Sequence, residues 1–239
     1  MLARAFVLLV CVFSGQASAA DSIRFGLPVK DDSKLFAAFQ DIYKEAFQAL
    51  GLKLEMIPCA PHYCGALVRD GKLDGEAARH REYSVHYPQL DRVEFVVLKL
   101  STVGVTKQTT TILTSASDLI KYNYKISYQI GYRGYEKKLK KIFGKERLTS
   151  VTHWNEGLEK VKQESVGVYV GIKQILLADK DQEELGNYKI HTLGDMAIDV
   201  YPFLGPSLVQ YKNRLLDSLN NMKREKRIEA IFKKHRIPL

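Results

Sequence analysis

The sequence predicts an α/β protein with two lobes, because two successive sets of strands and helices follow each other along the chain. In the first set, alternating strands at residues 23–28 and 52–57 flank a segment, residues 34–50, whose apolar side chains recur at helical spacing. A strand, a helix and a second strand in this order favour a right-handed parallel unit of an α/β sheet. A second set of the same kind begins near residue 117 and predicts the second lobe.

The first twenty residues have the features of an export signal. Arg4 precedes an apolar stretch, residues 5–13, that is too short to span a bilayer, and the small residues at 17–20 suit a signal peptidase. We therefore expect residues 1–20 to be a cleaved signal peptide and the mature protein to be periplasmic. No later stretch of the sequence approaches the roughly 18 to 20 apolar residues of a membrane span.

The remaining elements of the first lobe follow in order. The first helix ends at Gly51, a residue type that is common at helix C-termini. Residues 63–69 then predict a short helix, Asp70 and Gly71 a turn, and residues 73–78 a third strand. Two more strands are expected at residues 95–100 and 102–105.

The second set alternates strands and helices in the same way. We expect these elements at residues 125–130, 135–143, 151–152, 154–163 and 166–170. The chain must then return to the first lobe, and it ends in an amphipathic helical region that begins at Ser207. The chain therefore crosses between the lobes twice, and we expect the two crossing strands to act as a hinge. We expect lobe 1 to contain residues 21–104 and 200–239, and lobe 2 to contain residues 105–199.

The charged residues argue against a nucleic-acid partner. The formal net charge is +9 at pH 7, but the cations are scattered or lie on helical faces such as residues 136–141 and 223–227. We interpret these faces as solvated surfaces. A basic balance also favours an anionic small ligand.

Two cysteines, Cys59 and Cys64, are predicted to form a local disulfide, because the exported chain reaches an oxidising compartment. Free thiols and a metal site are the alternatives. A metal site needs three or four protein ligands, and His62 is the one imidazole near these cysteines. We expect neither a metal nor another cofactor.

Motifs in a fixed order resemble periplasmic solute-binding proteins of the polar-amino-acid type. Residues 50–55 (LGLKLE) and 67–75 (LVRDGKLDG) resemble the amino-terminal lobe of that family, and residues 117–134 resemble the start of its second lobe. Residues 208–235 resemble its closing helices, so the resemblance covers nearly all of the mature chain. It implies a type II periplasmic binding fold, a two-lobed α/β clamp that closes on a small polar solute and, in the transport members, docks on a membrane permease.

The resemblance places the ligand arginine of the family a little after the third strand, and we assign this role to Arg79. A guanidinium at a strand end can hold a carboxylate through two parallel hydrogen bonds. Three alternatives stay open. Arg79 could instead be a solvated charge at the end of the strand, it could pair with Glu76 or Glu82, or Arg81 could be the ligand arginine.

On the second lobe, the loop between a strand and a helix offers backbone N–H groups that could hold an anion. We therefore include Arg133, Gly134 and Tyr135 as candidate ligand-binding residues, although the same loop is compatible with a simple tight turn. Tyr63, in the predicted disulfide loop, is a further candidate for stacking on a ligand. The alternative for Tyr63 is a place in the core.

The sequence departs from the family in three places that concern the ligand. Residues 79–88 replace the family's Thr-x-x-Arg segment, and no aromatic residue follows Pro28. No acidic residue stands in residues 166–170, where the family usually binds an α-amino group. An amino acid and a carboxylate without an amine are therefore both open as ligands.

We expect a monomeric, non-enzymatic protein that binds a small polar, carboxylate-bearing solute for a membrane transporter. A sensing partner of a membrane receptor is the first alternative. The second is a periplasmic enzyme of the dehydratase type, in which Glu76 or Asp195 would act as the general acid.

Overall fold

A computed structural model describes residues 22–107, 111–178 and 182–239, without the side chains at positions 133, 134 and 182–184. The predicted signal peptide therefore lies outside the described residues. The strands are β1 (Ser22–Leu27), β2 (Lys53–Pro58), β3 (Gly75–His80), β4 (Asp91–Arg92), β5 (Leu98–Leu100), β6 (Thr102–Lys107), β7 (Ile126–Gln129), β8 (Leu148–Val151), β9 (Val168–Ile172), β10 (Tyr188–Thr192) and β11 (Ile198–Leu204). The α-helices are α1 (Lys34–Gln48), α2 (Cys64–Arg69), α3 (Ala116–Lys121), α4 (Arg133–Phe143), α5 (Trp154–Lys162), α6 (Lys173–Ala178), α7 (Lys212–Arg224) and α8 (Arg227–Lys234).

The first sheet has the strand order β2-β1-β3-β11-β4, with β5 paired to β11. Strand β1 runs parallel to β2 and β3, whereas β11 is antiparallel to β3. Helix α1 begins after Ser33, whose hydroxyl accepts a hydrogen bond from the N–H of Phe36 (3.1 Å). Tyr43 and Phe47 on its apolar face pack edge-on against Phe25 of the sheet. Helices α7 and α8 pack on α1 and complete this layer.

The second sheet has the strand order β10-β6-β9-β7-β8. Strand β7 is parallel to β8 and β9, and β6 is antiparallel to β9 and β10. Leu139 of α4 packs in one apolar cluster with Val168, and Leu158 of α5 packs in another with Tyr169. Because neighbouring residues of a strand point to opposite faces, helices cover this sheet on both sides.

The chain crosses between the two sheets twice. The first crossing lies between Leu100 and Thr102, and the return lies between Thr192 and Ile198. The prediction of a two-lobed α/β protein joined by crossing strands is confirmed. The lobe boundaries at 104/105 and 199/200 stay a prediction. None of the helices in the described part of the chain has the length and apolar character that crossing a membrane requires.

Strand β3 begins at Gly75, later in the chain than predicted. The N–H groups of Lys72 and Leu73 donate to the carbonyl of Leu67 at 2.8 and 3.1 Å, so the backbone here is still closing helix α2. The strand also ends later than predicted, at His80, so Arg79 lies inside the strand and is one residue from its end.

Gly75 is predicted to be essential for the packing of β3 between its neighbours. A methyl group at this position would lie 2.5 Å from the carbonyl oxygen of Phe203 and would also overlap the ring of Phe25. We expect Gly75→Ala to lower the free energy of unfolding by about 1 to 3 kcal/mol or more, measured by urea denaturation. Gly186→Ala is the control, because nothing lies within 4 Å of a methyl group there. Equal midpoints for the two variants would contradict this packing.

Candidate functional site

A cavity of about 350 Å³ lies between the two sheets. Its first-lobe wall comes from the end of β1, the end of β3 and the segment that follows β3, together with residues 197–201. Its second-lobe wall comes mainly from Gly131, Tyr132, Tyr135, Lys138 and Ile172. A solute in this cavity would therefore contact both lobes.

A β-bulge in strand β3 sets the direction of Arg79. Tyr201 of β11 pairs with Arg79, but Phe203, two residues further along β11, pairs with Glu76, three residues back along β3. Strand β3 therefore holds one extra residue between Glu76 and Arg79. The bulge compensates for their odd spacing, so the two side chains meet instead of pointing to opposite faces.

Arg79 lines the cavity, but its charge is already paired. The side chain is 5% exposed, and its Nε donates to the carboxylate of Glu76, which is fully buried. Its Nη2 donates to the carbonyl of Pro61 (3.0 Å), and the guanidinium lies over the ring of Tyr83 at 4.6 Å. Of the alternatives to a ligand role that were left open for Arg79, pairing with Glu76 is present in the structure, and the side chain is not solvated.

The surroundings of Glu76 act on its pKa in opposite directions. Burial raises the pKa of Glu76, whereas the charge of Arg79 and the hydroxyl of Tyr83, which donates to Oε1 at 2.8 Å, favour the ionised form. We take the carboxylate to be ionised, because a buried arginine without a counterion would be far more costly. The pair then adds almost no net charge to the cavity wall.

The disulfide between Cys59 and Cys64 is present, as predicted. It closes the loop that carries Pro61, and the carbonyl of Pro61 accepts the hydrogen bond from Arg79. On the other side, Pro61 lies against Gly131 of the second lobe, where an added methyl group would come within 3.3 Å of its ring. Gly131 has a φ of 107°, a conformation that favours glycine. The disulfide loop thus contacts both walls of the site.

Tyr132 reaches across the cleft and was not singled out from the sequence. Its hydroxyl donates to the carbonyl of Pro28 in the first lobe (3.3 Å). Burial raises the pKa of Tyr132 to about 12, and the charge of Arg79 offsets part of this rise. Tyr132 also lines a second cavity of about 510 Å³, which includes Trp154. Its side chain therefore stands between two compartments of the cleft.

The other predicted site residues lie in different surroundings. Arg133 and Gly134 are the first two residues of α4, and their side chains lie outside the described residues. Tyr135 is 6% exposed and lines the cavity. Tyr63 immediately precedes α2, and its side chain makes no capping hydrogen bond. It is 48% exposed and lines neither of the two cavities.

Further titratable groups surround the cavity. Arg81 lines it, donates to the hydroxyl of Tyr201 (2.9 Å) and lies 3.7 Å from a carboxylate oxygen of Glu94. His80 and His86 also line it. Burial lowers the pKa of His80, while its contact with a neighbouring carboxylate acts the other way.

The two carboxyl groups considered for acid catalysis are not on the cavity wall. Glu76 is buried and forms an ion pair with Arg79. Asp195 accepts a hydrogen bond from the N–H of Ala116 at the start of α3 (3.0 Å). Among the described residues, no group of three or more histidine, cysteine, aspartate or glutamate side chains is arranged to hold a metal ion.

Solved structures with the same architecture include solute-binding proteins and a sensor domain. An ancestral arginine-binding protein bound to arginine is 18% identical, with a TM-score of 0.69 over 89% of this chain and 97% of that chain. A substrate-binding protein of an amino acid ABC transporter from Streptococcus pneumoniae, bound to L-arginine, is 14% identical, with a TM-score of 0.69 over 90% and 94%. A histidine kinase sensor domain with similarity to periplasmic binding proteins is 12% identical, with a TM-score of 0.72 over 90% and 96%.

At this level of identity the likeness shows a shared fold, and the fold implied by the resemblance is confirmed. No protein-family model and no curated protein matches the chain.

We predict that Glu76→Gln destabilises the protein strongly. Arg79 would stay buried without its counterion, which typically costs about 3 to 5 kcal/mol when one partner of a buried pair is removed. Urea denaturation would measure the loss. Glu82→Gln is the matched control, because Glu82 is 73% exposed and its replacement should change stability by no more than about 0.5 kcal/mol. Similar losses in both variants would mean that the buried pair does not stabilise the first lobe.

Proposed function

We propose that this protein is an extracytoplasmic solute-binding protein of the polar-amino-acid type. It would hold a small polar solute between its lobes and deliver it to a membrane transporter. The observation that carries the proposal is the cavity of about 350 Å³ with walls from both sheets, a size that suits a small ligand. The proposal includes removal of residues 1–20, a monomeric periplasmic protein, and the lobe division predicted above.

The solute we propose carries a carboxylate. Arg79, Arg81 and Lys138 line the cavity, against the two acidic residues Glu82 and Asp199. No hydrogen bond joins Nη1 of Arg79 to a described residue, so one edge of its guanidinium can still meet a solute. Solved structures of this fold hold arginine, glutamine or histidine, which supports a ligand of amino-acid size.

A second candidate is the sensing of the same solute for a membrane receptor. The sensor domain of a histidine kinase shares the architecture over nearly its whole length. Both functions need the same cavity and the same closure, and they differ in the partner that the closed form contacts. Nothing on the cavity wall favours the dehydratase alternative over these two.

A thermal-shift screen of residues 21–239 against amino acids, monocarboxylates, dicarboxylates and uncharged polar solutes tests the proposal. A solute that binds the folded protein should raise Tm by about 5 to 10 °C at a hundredfold excess over Kd. We expect Arg81→Gln to reduce the shift, and Arg69→Gln, which is exposed and lies away from the cavity, to leave it unchanged. No shift with any class would contradict the proposal. Arg79→Ala is a poorer test, because it would leave Glu76 buried and unpaired.

A further inference from the structure

Two residues of helix α4 that carry hydrogen-bond donors belong to the second-lobe wall of the cavity. Tyr135 and Lys138 are three residues apart, a spacing that places side chains on the same face of a helix. Both line the cavity. Neither of them has an acceptor among the described residues.

The hydroxyl of Tyr135 is buried without a hydrogen bond to any described residue. The hydroxyl of Thr102 acts to lower the pKa of Tyr135, but the pair does not reach hydrogen-bond geometry, and Thr102 donates to the carbonyl of Met196 at 2.7 Å. Burial is the larger effect and raises this pKa well above its usual value, so the phenol stays protonated. Buried hydroxyls normally have a partner, and an acceptor on a bound solute would supply one.

Lys138 is a partly buried cation without a counterion in the described part of the chain. By contrast, Lys140 on the same helix has a counterion, because it lies 3.7 Å from the carboxylate of Glu136. Lys137 and Lys141 are exposed to solvent. Lys138 alone of these four lysines lines the cavity.

On the opposite wall, the charge of Arg79 is neutralised by Glu76, and Arg81 lies 3.7 Å from the carboxylate of Glu94. The unpaired positive charge and the unpaired donor are therefore both on the second lobe. We infer that Tyr135 and Lys138 form a subsite for a carboxylate of the solute, an inference that rests on the proposed function. One carboxylate oxygen accepts the phenol hydrogen bond, and the charge is balanced by the ammonium group of Lys138.

Calorimetric titration with matched solutes tests the subsite. The probes are L-arginine, L-histidine, L-glutamine and succinate, each beside the analogue in which the carboxylate is replaced by a carboxamide. For the probes that bind, we expect the carboxylate form to bind the native protein at least about tenfold more tightly than the amide. Lys138→Gln should remove most of this difference. Lys137→Gln, one residue away on the exposed face, should leave it intact.

Tyr135→Phe separates a ligand-binding role from a structural one. The substitution removes only the hydroxyl, which is buried without a hydrogen-bond partner. Because a buried polar group without a partner is unfavourable, the variant should be at least as stable as the native protein when no solute is present. It should nevertheless bind the carboxylates several-fold more weakly. A variant that loses stability but keeps its affinity would show that the hydroxyl is structural and would overturn its place in the subsite.

The remaining outcomes distinguish the subsite from the proposed function. Tight binding of a carboxylate by Lys138→Gln, or equal binding of acid and amide by the native protein, would overturn the subsite and leave solute binding in place. Binding of neutral or cationic solutes alone would do the same. If no probe binds and the thermal-shift screen is also negative, the proposed function fails together with the subsite.

Discussion

The buried ion pair between Arg79 and Glu76 is the constraint on which the first-lobe wall depends. The side chain of Arg79 is 5% exposed and that of Glu76 is 0% exposed. Two charges can be buried this deeply only because they pair with each other and make further hydrogen bonds. Through the carbonyl of Pro61 the pair holds the disulfide loop, and through Tyr83 it holds the short helix after β3. One strand thereby positions two segments that border the cavity through contacts within the first lobe.

The same pair explains why the sequence predicted the position of Arg79 but not its environment. An arginine near the end of the third strand is visible in the sequence, and so is a nearby glutamate. Side chains three residues apart in a regular strand point to opposite faces, however, and only the extra residue of the bulge lets Glu76 and Arg79 meet. A bulge depends on the partner strand β11, more than a hundred residues later, and no local pattern records it.

The fold was more predictable than the site because its signals are local. Apolar residues at helical spacing mark α1, α7 and α8, and alternation marks β1 and β2, as expected where one face of an element is buried. The short elements α6 and β10 were not predicted, because six or five residues carry little periodicity. Helix α2 is as short as α6, but the turn residues Asp70 and Gly71 mark its end. Helix α3 is capped by Ser115, whose hydroxyl accepts a hydrogen bond from the N–H of Asp118. Tyr132 could have been found as the aromatic residue that follows a turn glycine.

A carboxylate subsite on α4 would separate two tasks that a single arginine would otherwise combine. Tyr135 and Lys138 belong to one helix of one lobe, so the carboxylate could be held before the lobes close. Closure would then be favoured only by what the first lobe adds, since a ligand shifts a conformational equilibrium by its difference in affinity for the two states. The first-lobe wall beyond its arginines includes Leu35, Phe39 and Pro28, which would contact the apolar part of a solute rather than its charge. The second lobe would thus select the class of solute, and the first lobe would distinguish one member of that class from another.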